Sequence, residues 1–204
     1  MKLSYKGFFK NNEQLPKGEL PANAVKFKEP GDMVSLSVVS SLFLFPALFG
    51  VIIIAIFSYL LHGELYIGFT LIGTLAAVLC MIPHELLHAV CFGKKAEVEL
   101  YVAPKQLSLF VVSAQPISKA RFIFLSLLPN LVFGWIPLVV WAVLPHGGFG
   151  NHLFTFAIIS IMFGAGDYMN SFNALRQMPK GSLQQISGFN SYWFMPEEKQ
   201  VKNE

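Results

Sequence analysis

Four stretches of this chain are so long and so apolar that they decide what it can fold into. They run over about 33–61, 65–92, 122–144 and 149–175. Crossing the hydrocarbon core of a bilayer takes about 20 apolar residues, more when the segment tilts. Each run meets that length, and none contains a lysine or arginine. An open backbone in lipid would leave its N–H and C=O groups unpaired, so each run is expected as a helix. Composition agrees: 54% of the 204 residues are hydrophobic and 13% charged, against about a quarter charged in soluble domains. The expectation is an all-α membrane protein with four transmembrane helices. The first run follows about thirty mostly polar residues and is too long for a signal segment, so it reads as a retained span.

Charge between the runs gives an orientation. Lys2, Lys6, Lys10, Lys17, Lys26 and Lys28 precede the first run, and Lys94, Lys95, Lys105, Lys119 and Arg121 fill the middle loop. Arg176, Lys180, Lys199 and Lys202 follow the last run, whereas 62–64 and 145–152 carry no lysine or arginine. The positive-inside rule therefore places both termini and the middle loop of a multi-pass membrane protein in the cytoplasm. This basic charge is spread over flanks and loops, which excludes a nucleic-acid surface. Within the middle loop, Val98, Leu100 and Val102 alternate onto one face, and a second β-prone run at 107–113 follows a proline-containing turn. A short β-hairpin over 97–113 is expected there. The chain thus divides into a cytoplasmic N-terminal segment (1–32), a four-span domain (33–178) and a cytoplasmic tail (179–204).

Near the end of the second run stands "HELLH", residues 84–88. On a helix, His84 and His88 share a face one turn apart, so both imidazoles can reach one tetrahedral ion. Glu85 lies beside the first of them, placed to act on a water at that ion without ligating it. Zinc lowers the pKa of a bound water toward about 7, and a neighbouring carboxylate can then take its proton. The bland alternative is a satisfied polar cluster in a helix bundle, but three such side chains within a span are rare without function.

A catalytic zinc usually has three protein ligands. Cys91 and Lys94 occupy the positions where the extended soluble motif would have glycine and a third histidine. His62, His146 and His152 fall at the opposite side of the membrane, Glu97 and Glu99 in the expected hairpin, and Glu197, Glu198 and Glu204 in the tail. Between Glu99 and Glu197 the single acidic residue is Asp167. It stands nine residues before Arg176, as His84 stands nine before Gly93. At 1.5 Å per residue, the three groups could meet roughly 8–14 Å below the cytoplasmic surface. The alternative is a carboxylate hydrogen-bonded to a neighbour.

A membrane H-E-x-x-H with an aspartate on a later span is similar in layout to the site-2 proteases. More closely, the chain resembles a bacterial family classed as membrane zincin peptidases, over roughly 65–178, including "LLPN" (127–130) and "GAGD" (164–167). The resemblance implies His84, His88 and Asp167 as ligands of Zn2+ and Glu85 as base. It implies hydrolysis of a peptide bond of a membrane-associated peptide or protein near the cytoplasmic face, and that the membrane is a bacterial cell membrane. One departure stands out: site-2 proteases usually have glycine after the aspartate, where this chain has Tyr168.

Several other features have plainer readings. Asn130, Asn170 and Asn173 are amides within spans, with helix-to-helix hydrogen bonding as their default. Asn170, one turn from Asp167, is also a candidate substrate-binding residue. Cys80 and Cys91 flank the motif and form no disulfide framework. Pro83 removes a backbone donor just before the motif, and 188–194 reads as an interfacial aromatic segment. A di-iron oxidase is set aside for want of histidines, and a transporter for want of a repeat. The competing function is a non-catalytic membrane protein, a pseudoprotease or assembly partner, with a structural metal or polar cluster.

Overall fold

The computed structural model describes residues 1–64, 67–106, 108–145 and 147–196. Leu65, the expected start of the second run, Leu107 at the head of the second hairpin strand, His146 and the acidic and basic residues of 197–204 lie outside these. Strand β1 (Lys2–Phe8) and the short β2 (Val25–Lys26) precede helices α1 (Met33–Ser41), α2 (Leu44–His62) and α3 (Leu71–Cys91). Strands β3 (Glu97–Ala103), β4 (Ser108–Val112) and β5 (Ile117–Ser118) lead into α4 (Lys119–Asn130), a π-helical turn at Leu131–Trp135 and α5 (Ile136–Val143). Then come α6 (Phe149–Phe163), α7 (Ala165–Gln177) and the strands β6 (Leu183–Ser187) and β7 (Asn190–Phe194).

Three helical segments are long and apolar enough to cross a membrane: Met33–His62, Leu71–Cys91 and Lys119–Val143. The pair α6 and α7, bent by 48° at Gly164, makes a fourth if counted as one broken span. Local chemistry fixes where the helices begin. The Asp32 carboxylate accepts the Ser35 N–H at 2.9 Å and starts α1, and Thr70 Oγ1 accepts the Gly73 N–H at 3.2 Å. That cap sets the start of α3 at Leu71, several residues later than the apolar run alone suggests. Pro83 sits inside α3 without ending it.

Helix packing centres on α6. One core joins Ala47 and Val51 of α2 to Leu138, Trp141 and Ala142 of α5 and to Phe154, Ala157 and Ile161 of α6. Small residues bring the axes close. A Cβ on Gly73 of α3 would stand 2.5 Å from the His152 carbonyl oxygen, and one on Gly134 would stand 2.7 Å from the Ile161 side chain. Meanwhile α2 leaves Phe45, Phe49, Ile53 and Leu60 exposed, an apolar face uncovered among the described residues.

Two small sheets sit at the end of the bundle that holds the motif. In the first, β3 pairs antiparallel with β4, as the alternation over 97–113 suggests, and β1 adds in parallel on the other side of β3. The second has the order β2-β7-β6-β5. The aromatic segment 188–194 takes a form that its composition did not specify: Asn190–Phe194 is β7, paired antiparallel with β6. The physical reason is Gly188, at φ +62°. It opens a two-residue turn between the paired Ser187 and Asn190, the position where a hairpin of this kind needs glycine.

Candidate metal centre

His84 and His88 lie one turn apart on the buried face of α3, only 7% and 6% exposed. Their Nε2 atoms are 3.2 Å apart. Asp167, in the first turn of α7, brings Oδ2 to 3.2 Å from His84 Nε2 and Oδ1 to 3.3 Å from His88 Nε2. The bend at Gly164 is what turns Asp167 toward α3. Three side chains from two elements thus converge on one point, with 83 residues between His84 and Asp167.

The next layer of residues fixes these groups in place. His88 Nδ1 stands 2.7 Å from the Leu125 carbonyl oxygen of α4. That oxygen can only accept, so Nδ1 carries the proton and Nε2 presents its lone pair to the cluster. Asn130, 1% exposed at the end of α4, donates from Nδ2 to Asp167 Oδ2 at 2.7 Å. Gly164 makes room for that amide: a Cβ there would lie 1.7 Å from Asn130 Oδ1. The "LLPN" and "GAGD" segments therefore interlock, one aiming the carboxylate and the other leaving space for the aiming residue. This is the helix-to-helix hydrogen bond expected of Asn130, and its partner, which the sequence did not name, is the Asp167 carboxylate.

Glu85 is differently placed. A carboxylate oxygen comes within 4.8 Å of the two histidine donor atoms, and Oε2 accepts the backbone N–H of Val111 at 3.0 Å. Val111 stands opposite Leu100 in the β3–β4 register. Its N–H points away from β3, so Glu85 occupies the open edge of β4. Two ligand sets are conceivable, the two histidines with Glu85 or with Asp167. Asp167 brings its oxygens to 3.2 and 3.3 Å from the histidine nitrogens, whereas Glu85 is engaged by β4.

The donor set fits a metal ion. Tetrahedral zinc bonds of about 2.0–2.1 Å put neighbouring donor atoms about 3.3–3.4 Å apart. The separations here are 3.2, 3.2 and 3.3 Å. Imidazole nitrogens with one carboxylate suit zinc better than calcium or magnesium, which favour all-oxygen shells. Cys80 and Cys91 are free thiols and do not belong to the donor cluster found among the described residues.

The cluster forms the floor of a cavity of about 530 Å³. Residues 108–113 of β4 and its continuation line one wall, α1 and α7 contribute Leu36 and Asn170, and the β6–β7 hairpin faces them with Gln184, Ile186 and Phe189. Apart from His84, Glu85, His88 and Asp167, no acidic or basic side chain lines it among the described residues.

Residues 77–183 match a family model described as "Putative zincin peptidase", more than half of the chain. The matched stretch contains every residue of the cluster and its supports. No curated protein and no solved structure matches the chain. The likeness to site-2 proteases rests on the motif and the later aspartate alone.

Proposed function

Because the chain belongs to the zincin peptidase family matched by its residues 77–183, we propose that it is a zinc-dependent, membrane-embedded peptidase. The observation that carries this reading is the convergence of His84, His88 and Asp167 at 3.2–3.3 Å with Glu85 beside them. The exposed apolar faces of α2 and the lengths of the candidate spans support embedding in a lipid bilayer. The lysines and arginines of the loops on the motif's side support a cluster near the cytoplasmic face.

His84 Nε2, His88 Nε2 and Asp167 would hold the ion. When bound, zinc supplies a Lewis acid that polarises a carbonyl and acidifies a water. Glu85 takes a proton from the attacking water as its oxygen bonds to the scissile carbonyl carbon. When the C–N bond breaks, Glu85 returns that proton to the departing amine, so charge and atoms balance. The open edge of β4 would hold the substrate in extended form, because its outward N–H and C=O groups at Leu109 and Val111 can pair with a peptide backbone. A carbonyl seated on the Val111 N–H takes the place Glu85 now occupies, which leaves the carboxylate to the water. Asn170, on the cavity wall one turn from Asp167, is a second candidate contact for the substrate.

Two measurements test this. Zinc is quantified in purified wild type, His84→Ala, Asp167→Ala and Glu85→Gln. About one equivalent is expected in wild type and Glu85→Gln, with strong loss in the other two, as removal of a ligand demands. Cleavage of a quenched-fluorescent apolar peptide in micelles should fall by about 10²-fold or more in Glu85→Gln. Equal zinc in all four proteins would remove the metal site. Undiminished cleavage by Glu85→Gln would remove the base.

A further inference from the structure

Gln184 is 3% exposed, yet its carboxamide makes no hydrogen bond among the described residues. Its neighbour Gln185 behaves oppositely, donating from Nε2 to the Ala114 carbonyl oxygen at 2.8 Å on the other face of β6. Gln184 and Ile186 share the face of β6 that lines the cavity. The carboxamide faces a cavity that opens to the outside, with no protein group among the described residues bonded to it, so it is placed to meet something that enters. The strand is well fixed there: Gln184 stands opposite Ile117 on one side and Trp193 on the other. Strand β6 also packs on α4, the helix whose Leu125 carbonyl fixes His88.

Strand addition to β4 explains what that something needs. Only alternate residues of an added strand pair with the edge beside them, and the N–H and C=O groups of the others point the opposite way. Once the peptide is seated in the cavity those groups lose water and must find partners or remain unsatisfied. One carboxamide offers a donor and an acceptor side by side, the complement of a peptide C=O and N–H. We propose that Gln184 is a substrate-binding residue that pairs with the main chain of an extended, uncharged peptide on the side facing away from β4. This rests on the peptidase reading above and adds the wall opposite the edge. A contact with the main chain, not with a side chain, makes Gln184 a determinant of extended shape more than of residue identity.

The test uses the full-length, zinc-loaded protein in micelles with two probes, acetohydroxamate and an apolar tripeptide hydroxamate. Acetohydroxamate reports the metal alone, and the tripeptide adds a backbone for the two walls to grip. In wild type the tripeptide should bind much the tighter. In Gln184→Met, of similar size, that advantage should shrink by about three- to tenfold while acetohydroxamate affinity is unchanged, the effect of losing a hydrogen bond. Gln184→Glu, which keeps the acceptor and loses the donor, should fall between. Gln185→Met should lower the melting temperature without changing the ratio of the two affinities, which separates a packing effect from a binding one. An unchanged ratio in Gln184→Met with both probes bound would overturn the inference alone. Failure of acetohydroxamate to bind wild type would overturn the metal reading and this inference with it, whereas acetohydroxamate binding with no added affinity for the tripeptide would overturn this inference alone.

Discussion

At the residue scale, the two histidines and Glu85 were legible because a helix makes residues four apart neighbours, and the spacing alone carries the chemistry. Asp167 was legible by a different route, as the single carboxylate in a long apolar tract. Asn130 was not, since its partner lies 37 positions away on a helix whose rotation no local pattern reveals. Its structural position leads to a prediction. Asn130→Leu leaves the fold of α4 intact but frees the Asp167 carboxylate, and zinc affinity should drop by about 10–100-fold, measured by competition with a chromophoric chelator. Tyr101, outside the cluster, is held by its hydroxyl, whose single hydrogen faces two acceptors, Glu99 Oε2 and the Gln14 carbonyl oxygen, each at 2.7 Å. Burial and the Glu99 carboxylate push that phenol well above the usual tyrosine range. Tyr101→Phe should lower stability by about 1 kcal/mol in thermal melts, with no change in zinc content.

At the scale of elements, the helices were readable from length and apolarity, whereas their ends were set by caps and bends. The bend at Gly164 is the sharpest case. Gly164→Ala drives a methyl into the Asn130 amide, so it should destabilise by about 1–3 kcal/mol and weaken zinc binding alongside. The strands beyond the middle hairpin escaped the sequence because their partners are remote: β1 meets β3, and β2 meets β7. Only the turn glycine at 188 signalled β6 and β7. Glu29 ties the β7 edge to the segment before α1, its Oε1 accepting the Ser191 N–H at 2.7 Å. Burial, offset in part by that bond, raises its carboxyl above the ordinary 4.5. The folded state therefore holds this proton more tightly than the unfolded chain, and the stability so gained is lost as pH rises above about 4.5. Glu29→Gln removes that dependence. Its melting temperature relative to wild type should be higher at pH 7 than at pH 4, and an equal difference at both would count against the buried carboxyl.

At the scale of the whole molecule, the membrane reading stands on hydropathy and on the asymmetry of charge between the loops. It predicts that the protein expressed in bacteria stays with the membrane pellet through alkaline carbonate and 1 M salt washes (about one Debye length of 3 Å at that salt), because apolar spans do not depend on charge. Release into the supernatant would contradict it. The ion pairs Lys2–Glu97 and Lys6–Glu99, at 3.3 and 2.9 Å, lie on the sheet's outer surface, and pairs of that kind contribute at most about 1 kcal/mol each.

The pairing of β2 with β7 also bears on biogenesis. Val25 meets Trp193, so one half of that wall leaves the ribosome long before its mate. At bacterial elongation speeds of about 5–20 residues per second, the delay is on the order of ten seconds or more. Until then the helices can insert and the histidines can find Asp167, but the chamber above them lacks a side. A newborn chain would thus bring its histidines and Asp167 together before their enclosure, and any hydrolytic competence that needs the enclosure would begin only once the β6–β7 segment has emerged.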